Sequence, residues 1–487
     1  MRKQRTIYFN DARHYYLFVF EPPMTMEDAW LPIDEVAGTS VDTFVYGVER
    51  SDGLFYPSKV GTMFGDDRNP LTEAYEWRTW KNMKSLMDRG LDPLTVLIDR
   101  AHEKKIDFIA SLRMGGYAGL KDEHRVPVPE KFASDPNMAG TSLLFKGADH
   151  GHQEVRDYNF AVAKELIEDY ATDGIELDFI FSTFYFKYEE ARDNLPIMTD
   201  LVKRISEMAR KAGKILGVRV LPTEEMCLNA GLDVRTWLND GLVDYVAPIT
   251  YHPFYLDGDM PIEWLIEAAH EADTSVYGFL HPYYDVEDDR RFHDSTHATP
   301  EMVRAAAANN FVKGVDGQYA WFLKWPLGDV ERGILTEIGD AEQVAKGKKH
   351  YFLRRRFEPM AGIGYDGVLP VPMSIGDEVS LPFYVSDDFE KNAERISQVL
   401  LKVNVDNMVD DDNVDFLLNG ESLANEQRTR SLAKHVAPYQ SMWLDFHLEN
   451  VRPRKGRNEL TVRFNGRPED LQGQIIIDDL EVVVEYG

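Results

Sequence analysis

Eight apolar, strand-like runs separated by stretches of helical periodicity constrain this chain more than any other feature. They fall at 15–20, 41–48, 106–113, 174–179, 215–220, 245–251, 275–280 and 317–322. Strands that alternate with helices build parallel sheets, because a parallel neighbour is reached only by a crossover. Eight such units over about 340 residues predict a closed (β/α)8 barrel with a few long loops. A doubly wound open sheet would want a glycine-rich phosphate turn after its first strand, and the residues from Tyr15 to Pro22 offer none. Helix starts are marked at Asp92-Pro93 and Thr299-Pro300, a capping residue before a proline at the first helical position. Phe160, Ala163, Leu166, Ile167 and Tyr170 recur at helical spacing before the fourth run, and Gly241 ends the helix containing Trp237.

At 487 residues the chain exceeds what one core usually supports. Its character changes near Gly347, where Lys346 to His350 and Arg354 to Arg356 form a basic connector. Beyond it, alternating runs at 379–385, 399–405, 443–448, 459–464 and 474–484, with turn signals at Asn419-Gly420 and Asn465-Gly466, predict a β-sandwich. The expected division is a catalytic barrel over 1–345, a linker over 346–374 and an accessory sandwich over 375–487. Three adjacent aspartates, Asp410, Asp411 and Asp412, lack the spacing of a calcium cage and read as a solvated loop.

A net charge of −29 repels phosphate backbones and anionic membranes, so neither nucleic acid nor membrane is an expected partner. The single cysteine, Cys227, forbids an intramolecular disulfide. No apolar core follows the basic start Met1-Arg2-Lys3-Gln4-Arg5, so the sequence as it stands reads as cytoplasmic, or as exported if a leader has been removed.

The fourth run carries the most chemistry. Alternation along a strand puts Ile175, Leu177 and Phe179 on one face and Gly174, Glu176 and Asp178 on the other, which points into the barrel. Asp178 lies near the C-terminal end, where barrel active sites are built. Two inward carboxyls on one strand are costly unless paired or used. Arg113 shares a face with Ser111, and Arg219 with Gly217, so both arginines are expected beside them. A network that merely closes the barrel is the alternative to a catalytic role, more so for Glu176 than for Asp178.

These residues resemble a known group. Glu154-Val155-Arg156-Asp157-Tyr158, followed by Asp173-Gly174-Ile175-Glu176-Leu177-Asp178-Phe179, is similar to the glycosyl-hydrolase-like 10 family of bacterial barrel proteins. That family typically reads Pro-Glu-Val-Arg-Asp-Tyr and then Asp-Gly-Ile-His-Leu-Asp. The stretch from Asp233 to Tyr251 resembles the family's approach to its sixth strand. The resemblance implies a barrel, carbohydrate cleavage and Asp178 as the catalytic-type aspartate. Glu176 departs from it, standing where histidine is common. Chitinases of glycoside hydrolase family 18 carry a glutamate two positions beyond the last aspartate of a similar run; here that position is Ile180, which argues against their mechanism.

Glycoside hydrolysis normally uses two carboxyl groups. Candidates for the second are Glu49 after the second run, Glu224 and Glu225 after the fifth, and Asp285 after the seventh, with Glu224 and Glu49 preferred because they directly follow strands. Arg113, Arg219, Tyr251, His252, His281 and Trp321 are the expected substrate contacts, the guanidinium groups being suited to an anionic substituent. No cofactor and no metal are expected: His150-Gly151-His152 has ligand spacing but stands in a loop before a helix. The expected activity is hydrolysis of a poly- or oligosaccharide, and the alternative is a carbohydrate-binding barrel without turnover.

Overall fold

The computed structural model describes the chain apart from residues 1, 12–15, 51–52, 69, 117–120, 128–146, 182–183, 250–254, 287–294, 322–323, 355–366 and 434–437. The chain forms two compact units, one of residues 1–254, 261–282 and 314–339, the other of 255–260, 283–313 and 340–487.

The first unit is built on a closed parallel barrel of eight strands: β1 (Thr6–Asp11), β2 (Thr43–Gly47), β3 (Asp107–Arg113), β4 (Gly174–Asp178), β5 (Ile215–Val220), β6 (Tyr245–Pro248), β7 (Ser275–Leu280) and β8 (Gly317–Trp321). Each pairs with the next, and β8 returns to β1. With helices in the connections, this is the expected (β/α)8 architecture. The first strand is a correction. The run at 15–20 holds a helical turn, Tyr16–Val19, while the strand lies earlier, in the fully buried hexapeptide Thr6–Asp11. A continuous apolar run has no period, so it does not distinguish strand from helix.

Local signals explain the helices. The Asp92 carboxylate accepts from the N–H groups of Leu94 and Thr95, capping Pro93–Glu103. Helix Leu195–Lys211 buries Met198, Leu201, Val202, Ile205 and Ala209, a single stripe at helical spacing. Gly241 adopts φ 59° just past helix Val234–Asn239.

Strand register then fixes what meets inside the barrel. Ser111, Glu176, Gly217 and Tyr245 lie side by side across β3 to β6, and Arg113, Asp178 and Arg219 form the row above. Gly217 is a steric requirement: a Cβ there would lie 1.9 Å from Tyr245 Cζ. Gly217→Ala is therefore expected to destabilise the chain by about 1–3 kcal/mol through overpacking, read as a lower urea midpoint at unchanged slope.

The second unit holds a six-stranded sheet and a four-stranded sheet. The long strands Ile396–Asp406, Ser441–His447 and Ile475–Tyr486 anchor the first, and Glu378–Val385, Asn413–Leu418 and Gly456–Gly466 the second. Alternate residues of both, among them Leu381, Phe383, Leu401, Val403, Leu460 and Val462, make one apolar core, the pattern of a β-sandwich. The stretch read as a linker contributes strands of its own: Lys349–Phe352 and Val371–Met373 both pair with Ile475–Tyr486. The basic character seen there has a structural use, since buried Lys349 bonds Asp387 at 2.9 Å. In the triple-aspartate segment Asp410 pairs with Arg430 and Asp412 with Arg467, so two of the three carboxyls hold the sandwich's own arginines.

Candidate active site

At the C-terminal ends of β3, β4 and β5 the side chains form one buried electrostatic cluster. Arg219 Nη2 donates to Asp178 Oδ2, and Arg219 Nε lies 3.2 Å from Glu176 Oε1. All three side chains are fully buried. Ile180 N–H donates to Asp178 Oδ1 at 3.2 Å. Glu176, one layer deeper, accepts from Ser111 Oγ at 2.7 Å and Tyr245 OH at 2.9 Å, and Tyr319 OH lies 3.1 Å from its Oε1. Arg113 Nη2 donates to Asp11 Oδ2 at 2.6 Å, and Arg50 Nη1 stands 3.9 Å from the same oxygen. Three carboxyls thus face three guanidinium groups.

Burial is the largest influence on both β4 carboxyls and lifts them above the usual carboxylate range, with the charge of Arg219 pulling each back down. Glu176 is raised further by the charge of Asp178. Burial works against the charge of Arg219, but Asp178 and its neighbours more than compensate and hold the guanidinium above its ordinary value. Aromatic rings enclose the cluster: Phe9 lies 4.0 Å from the Arg219 guanidinium carbon and Phe181 3.4 Å from that of Arg113. Arg50, with a side chain 22% exposed, half-buried Phe181 and Arg113, 7% exposed, are the members with access to solvent.

The expected residues divide. Asp178, Glu176, Arg113 and Arg219 come together as the alternation predicts. Glu49 is buried beyond the end of β2, and its carboxylate fills the space where Gly116, just after β3, would carry a side chain: a Cβ there would be 2.2 Å from Oε2. Trp321 is fully buried, edge-on to Phe9 at 5.2 Å, and so packs the cluster instead of offering a face to a sugar. His281, 2% exposed, stands 5.7 Å from that indole. Tyr251 and His252 lie outside the described residues.

Glu224 opens the helix Glu224–Ala230 behind the cap Thr223 and binds Arg235 through both oxygens, at 2.6 and 2.9 Å. Its hydrogen bond to Arg235 lowers its pKa. Glu224→Gln is expected to leave activity unchanged and to alter stability by no more than about 0.5 kcal/mol, as exposed ion pairs do, measured by assay and denaturation on one preparation. Four members escaped sequence reasoning: Asp11, Arg50, Tyr245 and Tyr319. Asp11 follows from the misplaced first strand. The tyrosines had one legible signal, the small Gly217 and Ser111 on strands that must leave room for large neighbours.

No family model matches the chain, and no curated protein matches it, so the resemblance to the glycosyl-hydrolase-like 10 family stands on its residues alone. Similar solved structures include a cycloisomaltooligosaccharide glucanotransferase of Paenibacillus sp., 10% identical with a TM-score of 0.35, over 97% of this chain and 57% of that one. An α-L-fucosidase isoenzyme 2 of Paenibacillus thiaminolyticus is 13% identical with a TM-score of 0.43, over 71% of this chain and 50% of that one. The PgaB glycoside hydrolase domain of Bordetella bronchiseptica is 10% identical with a TM-score of 0.43, over 69% of this chain and 99% of that one. The chain spans about half the length of the first two. Its own strand pairing defines the class: a (β/α)8 barrel with a C-terminal antiparallel sandwich and a carboxylate–guanidinium cluster at the barrel's strand ends.

Proposed function

We propose that the barrel is a glycoside hydrolase acting on a poly- or oligosaccharide, with Asp178 and Glu49 as its two carboxyl groups. The observation that carries this reading is the position of Asp178: inward, at the C-terminal end of β4, and in register between Arg113 and Arg219. Burial raises this carboxyl and so favours its protonated form, the form that can protonate a leaving oxygen. Glu49, buried at the same end of the neighbouring strands, supplies the second carboxyl as nucleophile or base. Glu176 holds Arg219 from below and acts as a positioning residue. Arg113, in register beside Asp178 and 7% exposed, is placed to meet a hydroxyl or an anionic substituent.

The complete burial of Asp178 favours a second reading, a carbohydrate-binding barrel whose aspartate only braces the arginines. The test incubates wild type and Asp178→Asn with a panel of neutral and anionic glycans and measures new reducing ends. Release by wild type alone supports hydrolysis at Asp178. Release by both removes Asp178 from the chemistry, and release by neither, with binding retained, favours the second reading.

A further inference from the structure

Beside the loop that follows β3, three ligand-type side chains converge from two chain segments. His124 closes the 3₁₀ turn Asp122–His124, and His152 and Glu154 stand at the start of helix Gln153–Glu168. One donor atom from each lies within 4.8 Å of the others. The two imidazole centroids are 5.2 Å apart. Backbone bonds tie the segments together: Asp149 N–H donates to the His124 carbonyl at 2.7 Å and His152 N–H to the Asp149 carbonyl at 3.1 Å. The buried Asp149 carboxylate, anchored by Gly151 N–H at 2.8 Å, stands 3.9 Å from His152 Nε2.

We propose that His124, His152 and Glu154 form a binding site for a divalent transition metal, with Zn²⁺ the best fit. Two imidazoles and one carboxylate are the donor set of zinc sites that keep a fourth position open to solvent. Tetrahedral zinc with bonds of about 2.0–2.1 Å brings its ligands to roughly 3.3 Å from one another. Rotation of exposed Glu154 and half-buried His152 supplies the remaining approach. Asp149 is placed to receive the second ring N–H of His152, the outer carboxylate that orients a ligating histidine. The opposing cost is small. His124 Nδ1 accepts from Lys121 N–H at 3.3 Å, a long bond that is given up if Nε2 takes the metal. The chain's net charge of −29 raises the local cation concentration.

The sequence spacing His150-x-His152 points at the wrong pair. His150 is fully buried, with Nδ1 3.1 Å from the Ala148 carbonyl and Nε2 3.0 Å from Asn159 Nδ2. His152 instead partners a histidine 28 positions earlier.

The test titrates the chelator-stripped full chain with Zn²⁺ by calorimetry. Wild type is expected to bind one equivalent, with affinity falling at lower pH as the imidazoles protonate. His152→Ala and Glu154→Gln are each expected to weaken binding by about tenfold or more. Both side chains reach solvent, so the metal-free melting temperature should not move, which separates ligand loss from misfolding. Absence of saturable binding by wild type overturns the site, as does equal affinity in wild type and both variants. Neither readout depends on glycan hydrolysis.

Discussion

Arg219→Ala should destabilise the barrel by about 3–5 kcal/mol, the range for breaking a buried ion pair from one side. Arg219 is the only guanidinium in contact with both β4 carboxyls among the described residues, bonded to Asp178 and 3.2 Å from Glu176. Removing it leaves two negative groups at zero exposure, with Glu176 keeping its hydroxyl donors and Asp178 only the Ile180 N–H and the field of Arg113. The loss also opens a cavity among Phe9, Tyr319 and Trp321, whose rings lie within 5.9 Å of the guanidinium carbon. Equilibrium urea unfolding measures it. The pH dependence carries a second signature. Without Arg219 both carboxyls rise further above their unfolded values, so the native state binds more protons than the unfolded state in that window. Stability then falls as pH rises, and the variant's deficit should shrink on acidification through the carboxylate range. A deficit below about 1 kcal/mol, or one that does not vary with pH, would mean the cluster is hydrated and weakly coupled.

That cluster was half legible in the sequence, and the missing half has a physical cause. Period-two alternation along β4 separates Glu176 and Asp178 from Ile175 and Leu177 without knowledge of the rest of the fold. The same rule placed Arg113 and Arg219, because both sit an even number of residues from an inward small neighbour. Alternation has no purchase on 15–20, where every residue is apolar or aromatic, and the stronger hydrophobic signal drew the first strand away from Thr6–Asp11. The error matters for chemistry as well as topology, since Asp11 ends the true β1 and holds Arg113.

Glu224 shows a different limit. Being next to a strand in sequence says nothing about direction once a helix starts at once, and Thr223, a capping residue before two glutamates, was the readable sign that it does. The Asn419-Gly420 dipeptide was decisive for the opposite reason. Both residues adopt positive φ, at 51° and 85°, a demand few other pairs meet cheaply, so that turn was fixed locally.

Asp178→Asn is the substitution with the largest expected effect on turnover. Asparagine keeps the size of the side chain and can turn its one oxygen toward Arg219, which leaves its NH2 group facing the Ile180 N–H, so the barrel should retain its fold at the cost of that hydrogen bond. What it loses is the ionisable carboxyl proton. If Asp178 is the general acid, kcat should fall about 10²- to 10⁴-fold with little change in KM, since the group acts in the transition state and not in ground-state binding. The pH profile gives an independent check with a definite sign. A general acid works only while protonated, so wild-type activity should decline as pH rises through its burial-raised pKa, and that limb should vanish from the variant's residual activity. Glu49→Gln should abolish the opposite limb, the one lost as pH falls, because a nucleophile or base must be ionised. A fall of only a few-fold in Asp178→Asn, with both limbs intact, would assign Asp178 to the frame that holds Arg219 and leave the proton donor elsewhere on the barrel rim.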